Sequence, residues 1–248
     1  MFQQILVPLD GSSRAEQAMP VAVRLAQASG GTVVLLRVVG LRTEFIPYPG
    51  PDPGRLQAII DADHAVGARD YLERITHMSS LSSVHTETKV IVGQPGDIIL
   101  SVMDTHHSDL IVMCSHGYTG FKRWVLGSVA EKVAHHARVP VLLLREGGPA
   151  LVGTPPHAED PLRALIPLDG SAQAKAAIVP AAQLIAALSA PEPGALHFTR
   201  VVVLPDAGRI SQSEREARMH KAKQYLSTTV EHIRQGLIAL RSPISSLS

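Results

Sequence analysis

The stretch that most constrains this chain runs from Leu110 to Ala134. It opens as an apolar run, Leu110 to Met113. It then breaks into small and glycine residues, Cys114-Ser115-His116-Gly117-Tyr118-Thr119-Gly120. After Leu126-Gly127-Ser128-Val129 it resumes as an amphipathic pattern through Glu131, Lys132, Val133 and Ala134. That is the grammar of a buried strand, a glycine loop and the start of a helix. A helix start carries unpaired backbone N–H groups and about half a positive charge. Glycines beside it let a phosphate come close to the backbone. The stretch predicts the phosphate-holding part of a nucleotide site, with the rest of the chain as its scaffold.

The scaffold reads as alternating strands and helices. Gln4 to Leu9 is almost wholly apolar, as in parallel strands buried on both faces. Asp10-Gly11-Ser12-Ser13 ends it; Ser12 or Ser13 can cap the next helix, and Glu16 follows Ser13 at capping-box spacing. Ala18, Val21, Ala22, Leu25 and Ala26 recur at helical spacing, and Gly30-Gly31 stops that helix. Thr32 to Val39 is a second apolar strand, which completes a right-handed βαβ unit. Gly40 to Gly54, rich in Pro and Gly, predicts an irregular surface loop. A long helix is expected from Pro53 or Leu56 to Met78. Val84 to Val92 alternates like a strand at a sheet edge. Pro95 opens the next helix, Phe121 to Ala137 reads mostly as helix, and Val139 to Leu144 is a fifth strand. Five parallel strands with four helices predict an α/β, doubly wound layer fold.

The chain then repeats itself. Ala164 to Ser171 matches the first strand and its Asp10-Gly11-Ser12 ending nearly residue for residue. Pro180 sits in the following helix as Pro20 does in the first. Phe198 to Leu204 matches the second strand, Ser211 to Leu240 reads as a long amphipathic helix, and Tyr225-Leu226 echoes Tyr71-Leu72. Ile244 to Ser248 falls where a third strand would begin. A duplicated domain is the simplest reading. It gives a first domain over 1–146, a Gly- and Pro-rich linker over 147–161, and an incomplete second copy over 162–248. Half of such a sheet leaves an edge and apolar faces unburied, so this half is expected to pack on the first domain or on a partner chain, or to be poorly ordered.

Composition narrows the function. In 248 residues the formal net charge is +1, with Lys and Arg scattered among acids. No basic stripe argues for nucleic acid. Cys114 is the single cysteine, which rules out an intrachain disulfide and suits a reducing, cytoplasmic setting. No apolar run nears the roughly 18 residues that span a bilayer. The pairs His106-His107 and His135-His136 are adjacent, so each pair splays apart on a helix and forms no ready metal site. No P-loop, Gly-x-Gly-x-x-Gly fingerprint or Gly-x-Ser-x-Gly elbow occurs, and no residue is assigned to catalysis.

Val7-Pro8-Leu9-Asp10-Gly11-Ser12, Ser115-His116-Gly117-Tyr118-Thr119-Gly120 and Leu126-Gly127-Ser128-Val129 together closely resemble the universal stress proteins. The ATP-binding branch of that family carries a glycine, two residues, a glycine, nine residues, then glycine and serine or threonine. Gly117 and Gly127-Ser128 fit it, while the first glycine position is Cys114. The resemblance implies strand order 3-2-1-4-5, the adenine-nucleotide-binding type, with a crevice between strands one and four at their C-terminal ends. It implies that ATP, with or without Mg²⁺, is the cofactor. The backbone amides of Gly117, Ser128 and Val129 and the Ser128 hydroxyl would hold phosphate. Gly127 would allow close approach, and His116 could touch phosphate. Asp10 would accept from ribose or adenine, or help hold Mg²⁺ through water; otherwise it serves only the first helix start. Pro8, Leu9 and Val38 would form the adenine slot, and Met113 and Cys114 its floor. Three functions stay open: an ATP-dependent regulatory module of the stress response, a nucleotide-free protein-interaction module, and a slow ATPase. A homodimer through strand five is the implied assembly, with unknown protein partners.

Overall fold

In the computed structural model the described residues are 1–40, 53–78, 81–115, 126–145, 161–204, 211–240 and 246–247. The chain divides into two compact units, Met1–Gly153 and Thr154–Ser248.

In the first unit, β1 (Gln4–Leu9) leads through α1 (Ser13–Glu16) and α2 (Ala18–Ser29) to β2 (Thr32–Val39). Then follow α3 (Pro53–Thr76), β3 (His85–Val92), α4 (Pro95–Thr105), β4 (Leu110–Cys114), α5 (Ser128–His136) and β5 (Val141–Leu144). The sheet is parallel with order β3-β2-β1-β4-β5, the expected doubly wound arrangement.

The burial follows the sequence pattern. Ile5, Leu6 and Val7 in β1 and Val33 to Leu36 in β2 are completely buried, because helices cover both faces of these central strands. Each such side chain contributes about 1.5–3 kcal/mol of burial. Leu6, Leu36, Ile99, Val102 and Ile111 form a core under α4 and α5. β3 lies at the sheet edge, as expected, and none of its residues is fully buried, though its exposure does not alternate residue by residue.

Local chemistry sets the ends. Gly30 ends α2 with φ +66°, a left-handed cap whose N–H donates to the Ala26 carbonyl, a conformation that glycine adopts without a Cβ clash. Pro95 occupies the first turn of α4, where its missing N–H is not needed. Two expectations are corrected. Of the two serines the sequence offers, Ser12 caps α1: its backbone is extended and its Oγ accepts from Ala15 N at 3.2 Å. Glu16 therefore forms no capping box and instead accepts from the Tyr71 hydroxyl at 3.0 Å. Among the described residues, the helix expected from Phe121 begins only at Ser128, because Gly127 has extended backbone and serves as its N-cap. Residues 121–125 lie outside the described part, as do 40s-loop residues 41–50 and linker residues 146–160.

The second unit contains β6 (Arg163–Pro167), α6 (Ala172–Ala176), α7 (Ile178–Ser189), β7 (Ala195–Thr199), α8 (Gln212–Leu240) and β8 (Ser246–Leu247). Its sheet is parallel with order β6-β7-β8. Ser246 and Leu247 pair with Ala195 and Leu196, at the place where the sequence expects a third strand to begin. The second strand is Ala195–Thr199 rather than Phe198–Leu204, since Gly194 and Ala195 pack tightly against Leu162 and Ile185 while Val201 and Val203 lie exposed beyond the strand. Ile166, Leu168, Ile185, Leu196 and Phe198 form its core. Ala172–Ser189 has the length and average composition of a membrane span, although Gln173, Lys175 and Gln183 interrupt its apolar residues. That segment breaks at Ala177 between α6 and α7 and buries Ile178, Ile185 and Ala187 within the unit.

Candidate functional site

The adjacency of β1 and β4, with Ile5 opposite Leu110 and Leu6 opposite Ile111, brings two strand tips together. The β1 tip ends in Asp10-Gly11-Ser12. One Asp10 oxygen, Oδ1, accepts from Ser12 N at 2.9 Å and from Ser12 Oγ at 2.6 Å. The carboxylate thus braces the residue that caps α1, and the turn has Gly11 at φ +84°. Asp10 is then both a structural brace and a wall of the space between the tips.

The β4 tip ends at Cys114, which pairs with Leu144 in ordinary strand register. Among the described residues only His107 carries a positive φ without being glycine. Cysteine therefore sits at this position with no need of glycine's backbone freedom. Its thiol donates to the Arg14 carbonyl at 2.8 Å. Ser115 N donates to Leu144 O at 2.8 Å, and Gly127 N donates to Ser115 O at 2.9 Å. The last bond fixes both feet of the glycine loop, so α5 starts at the same level as the strand tips. Gly127 makes no side-chain cap to α5. The first N–H groups of that helix have no carbonyl four residues back, and Ser128 and Val129 stand at the mouth of the space.

A cavity of about 250 Å³ occupies this place, close to the roughly 300 Å³ at which small-molecule sites begin. Of the residues singled out in the sequence, Pro8, Leu9, Asp10, Val38, Cys114, Gly127, Ser128 and Val129 line it. Met113 does not: it is 6% exposed and packs in the core beneath with Leu6 and Ile99. His116 and Gly117 lie outside the described residues.

Sequence reasoning missed Arg37. It lines the cavity, its Nη1 donates to Leu9 O at 3.3 Å, and its guanidinium lies 3.5 Å from where a Gly11 Cβ would be. The signal was available: Arg37 is the sole charge in an otherwise apolar strand, Thr32–Val39. Behind it, Tyr71 holds its hydroxyl proton unusually tightly. Burial is the largest cause, followed by the hydrogen bond to Glu16 and that carboxylate's charge, with Arg37 opposing and Asp10 adding to the effect.

Other places carry less. A hollow of about 540 Å³ between α3 and β3, lined by Arg69, Glu73, Thr76, Thr86 and Thr88, has neither a glycine loop nor a helix start. Among the described residues no group of three His, Cys, Asp or Glu side chains could hold a metal. His136 Nδ1 lies 2.8 Å from Lys132 O, and His135 is exposed.

Residues 1–145 match the model of the family described as the Universal stress protein family. Universal stress protein MJ0531 of Methanocaldococcus jannaschii is 30% identical over 147 residues, covering 59% of this chain and 84% of that protein. Universal stress protein UspA from Lactobacillus plantarum aligns at a TM-score of 0.51 and 27% identity, over 58% of this chain and 98% of that one. A universal stress protein from Archaeoglobus fulgidus aligns at a TM-score of 0.62 over 98% of this chain and 75% of that one. At 18% identity that last likeness is one of fold.

Proposed function

The chain belongs to the universal stress protein family, and from that premise we propose that its first unit is a regulatory module that binds an adenine nucleotide, ATP with or without Mg²⁺. One observation carries the reading: the carboxylate-bearing tip of β1 and the uncapped start of α5 face one cavity. A sugar needs an acceptor for its hydroxyls, and a polyphosphate needs amide donors and a positive field. The two sides of this cavity offer those two things.

The base would lie against Pro8, Leu9 and Val38. Asp10 would accept from the ribose, since a carboxylate oxygen already accepting from Ser12 has further lone pairs and a second oxygen beside it. Ser128 Oγ and the amides of Ser128 and Val129 would take phosphate oxygens, joined by Gly117 and His116 of the loop. Arg37 adds a cation to the Asp10 side. ATP binding is the proposed activity, and any hydrolysis is secondary to it. The reading extends to a cytoplasmic protein of the stress response. It also extends to a homodimer through β5, an apolar edge strand whose four residues are only half-buried. The second unit, over 162–248, is taken to repeat the opening strand and helix elements of the first.

Mass spectrometry of the small molecule released on denaturing the purified protein tests this. An adenine nucleotide is expected. No retained nucleotide, together with no thermal shift at millimolar Mg-ATP, would leave the alternative of a nucleotide-free interaction module.

A further inference from the structure

The two units share a frame around one tyrosine, and its charge is inverted in the second. In the first unit Glu16, four residues past the N-cap Ser12, accepts from the Tyr71 hydroxyl. In the second unit the residue four past the N-cap Ser171 is Lys175. Arg37 stands opposite Leu9; Arg200 directly follows Thr199, which stands opposite Pro167. Both guanidinium groups lie 3.5 Å from where a Cβ on the turn glycine, Gly11 or Gly170, would be. Tyr225 takes the place of Tyr71: its ring centroid lies 4.7 Å from Arg200 Cζ and 5.3 Å from Lys175 Nζ.

The exchange of acid for base leaves a visible defect. The Tyr225 hydroxyl is buried and has no hydrogen-bond partner among the described residues. Buried hydroxyls are nearly always paired, and one that is not marks a missing acceptor. Two cations lie over the ring that carries this hydroxyl. Asp169, which precedes the turn glycine Gly170, accepts from Ser171 N at 2.8 Å. Arg200 also draws on Asp169 electrostatically, which leaves Lys175 as the exposed positive charge.

We infer that Lys175, Arg200 and the Tyr225 hydroxyl form a site for a small carboxylate anion, which supplies from solution the acceptor that Glu16 supplies within the first unit. One carboxylate oxygen accepts from Tyr225 Oη, and the group is held by charge-assisted bonds to the ammonium and guanidinium. Lys175 is exposed and long, so its side chain can move to admit the ligand. The inference is independent of nucleotide binding in the first unit.

The test is NMR titration of the full chain with acetate, malonate and inorganic phosphate at constant ionic strength, on wild type, Lys175→Glu and Tyr225→Phe. Saturable malonate shifts centred on Lys175, Arg200 and Tyr225 are expected. Loss of one charge-assisted bond should weaken them about tenfold in each variant. Lys175→Glu, an exposed change that restores the acceptor in the chain, should also raise the melting temperature. Phosphate binding without any carboxylate response overturns the carboxylate assignment. No saturable shift with any of the three anions, or wild-type affinity retained in both variants, overturns the site.

Discussion

The Cys114 thiol donates to the Arg14 carbonyl at 2.8 Å and so ties the tip of β4 to α1 across 100 residues of sequence. This bond joins the two sides of the crevice at their base. It explains how cysteine serves where the nucleotide-binding pattern of the family has glycine: the position is extended strand, and its side chain points to α1. Cys114→Ala should lower stability by about 1 kcal/mol, the net value of such a bond, in urea unfolding. Cys114→Ser, which keeps a donor, should lose less. Equal losses would show that packing, not the bond, is what the thiol contributes.

Asp109 makes a second tie that sequence reading did not flag. Its two carboxylate oxygens accept from the backbone of Gln3 at 2.6 Å and Gln4 at 3.1 Å, at the start of β1. Asp109→Ala should cost about 1–3 kcal/mol, since two charge-assisted bonds to backbone donors are lost. Hydrogen exchange should show the Gln3 and Gln4 amides losing protection first. Unchanged exchange there would contradict the role.

Tyr71 makes stability depend on alkaline pH. Burial, then the Glu16 hydrogen bond and charge, raise its pKa above the usual value. A raised folded-state pKa contributes stability that is complete below the unfolded-state pKa, about 10 for tyrosine, and that is lost as pH rises toward the folded value. Unfolding free energy measured from about pH 8 to about pH 11 should fall more steeply in wild type than in Tyr71→Phe, which has no proton to release in either state. Parallel curves would show that Tyr71 is not so linked.

Gly30 and Gly31 look alike in sequence and should respond differently to alanine. Gly30 has φ +66° with nothing within 4 Å of a built Cβ, so Gly30→Ala meets backbone strain alone, about 1 kcal/mol. A Cβ on Gly31 would lie 2.8 Å from Phe2 O and 2.9 Å from Gln3 O, backbone atoms of the β1 entry that cannot step aside. Gly31→Ala should cost about 1–3 kcal/mol, as overpacking does. Thermal unfolding of the two variants checks the order, and a larger loss at Gly30 would reverse the account.

Much of this was legible in the chain. Apolar runs such as Leu6-Val7 and Val33 to Leu36 can be satisfied only in a sheet covered on both faces, so the layer fold follows from them. The crevice followed once β1 and β4 were neighbours. What escaped was interaction at a distance. Arg37, Asp109 and the Cys114–Arg14 bond depend on which strand tips meet, and no local pattern carries that. The family resemblance puts Met113 on the cavity floor with Cys114, yet its side chain is buried in the core under α4. Ser12 was chosen over Ser13 as helix cap by a preceding carboxylate, Asp10, that orients it.

Calorimetric titration of the full chain with Mg-ATP, in wild type and Ser128→Ala, tests the central claim most directly. Ser128 is exposed at the start of α5, so its loss should leave the fold intact. Wild type should bind one nucleotide per first unit, and removal of one hydroxyl donor to a charged phosphate should weaken binding by about tenfold or more. Absence of binding heat in a wild-type protein stripped of retained nucleotide, or identical affinity in the two proteins, would contradict a phosphate seat at the meeting of β1, β4 and α5.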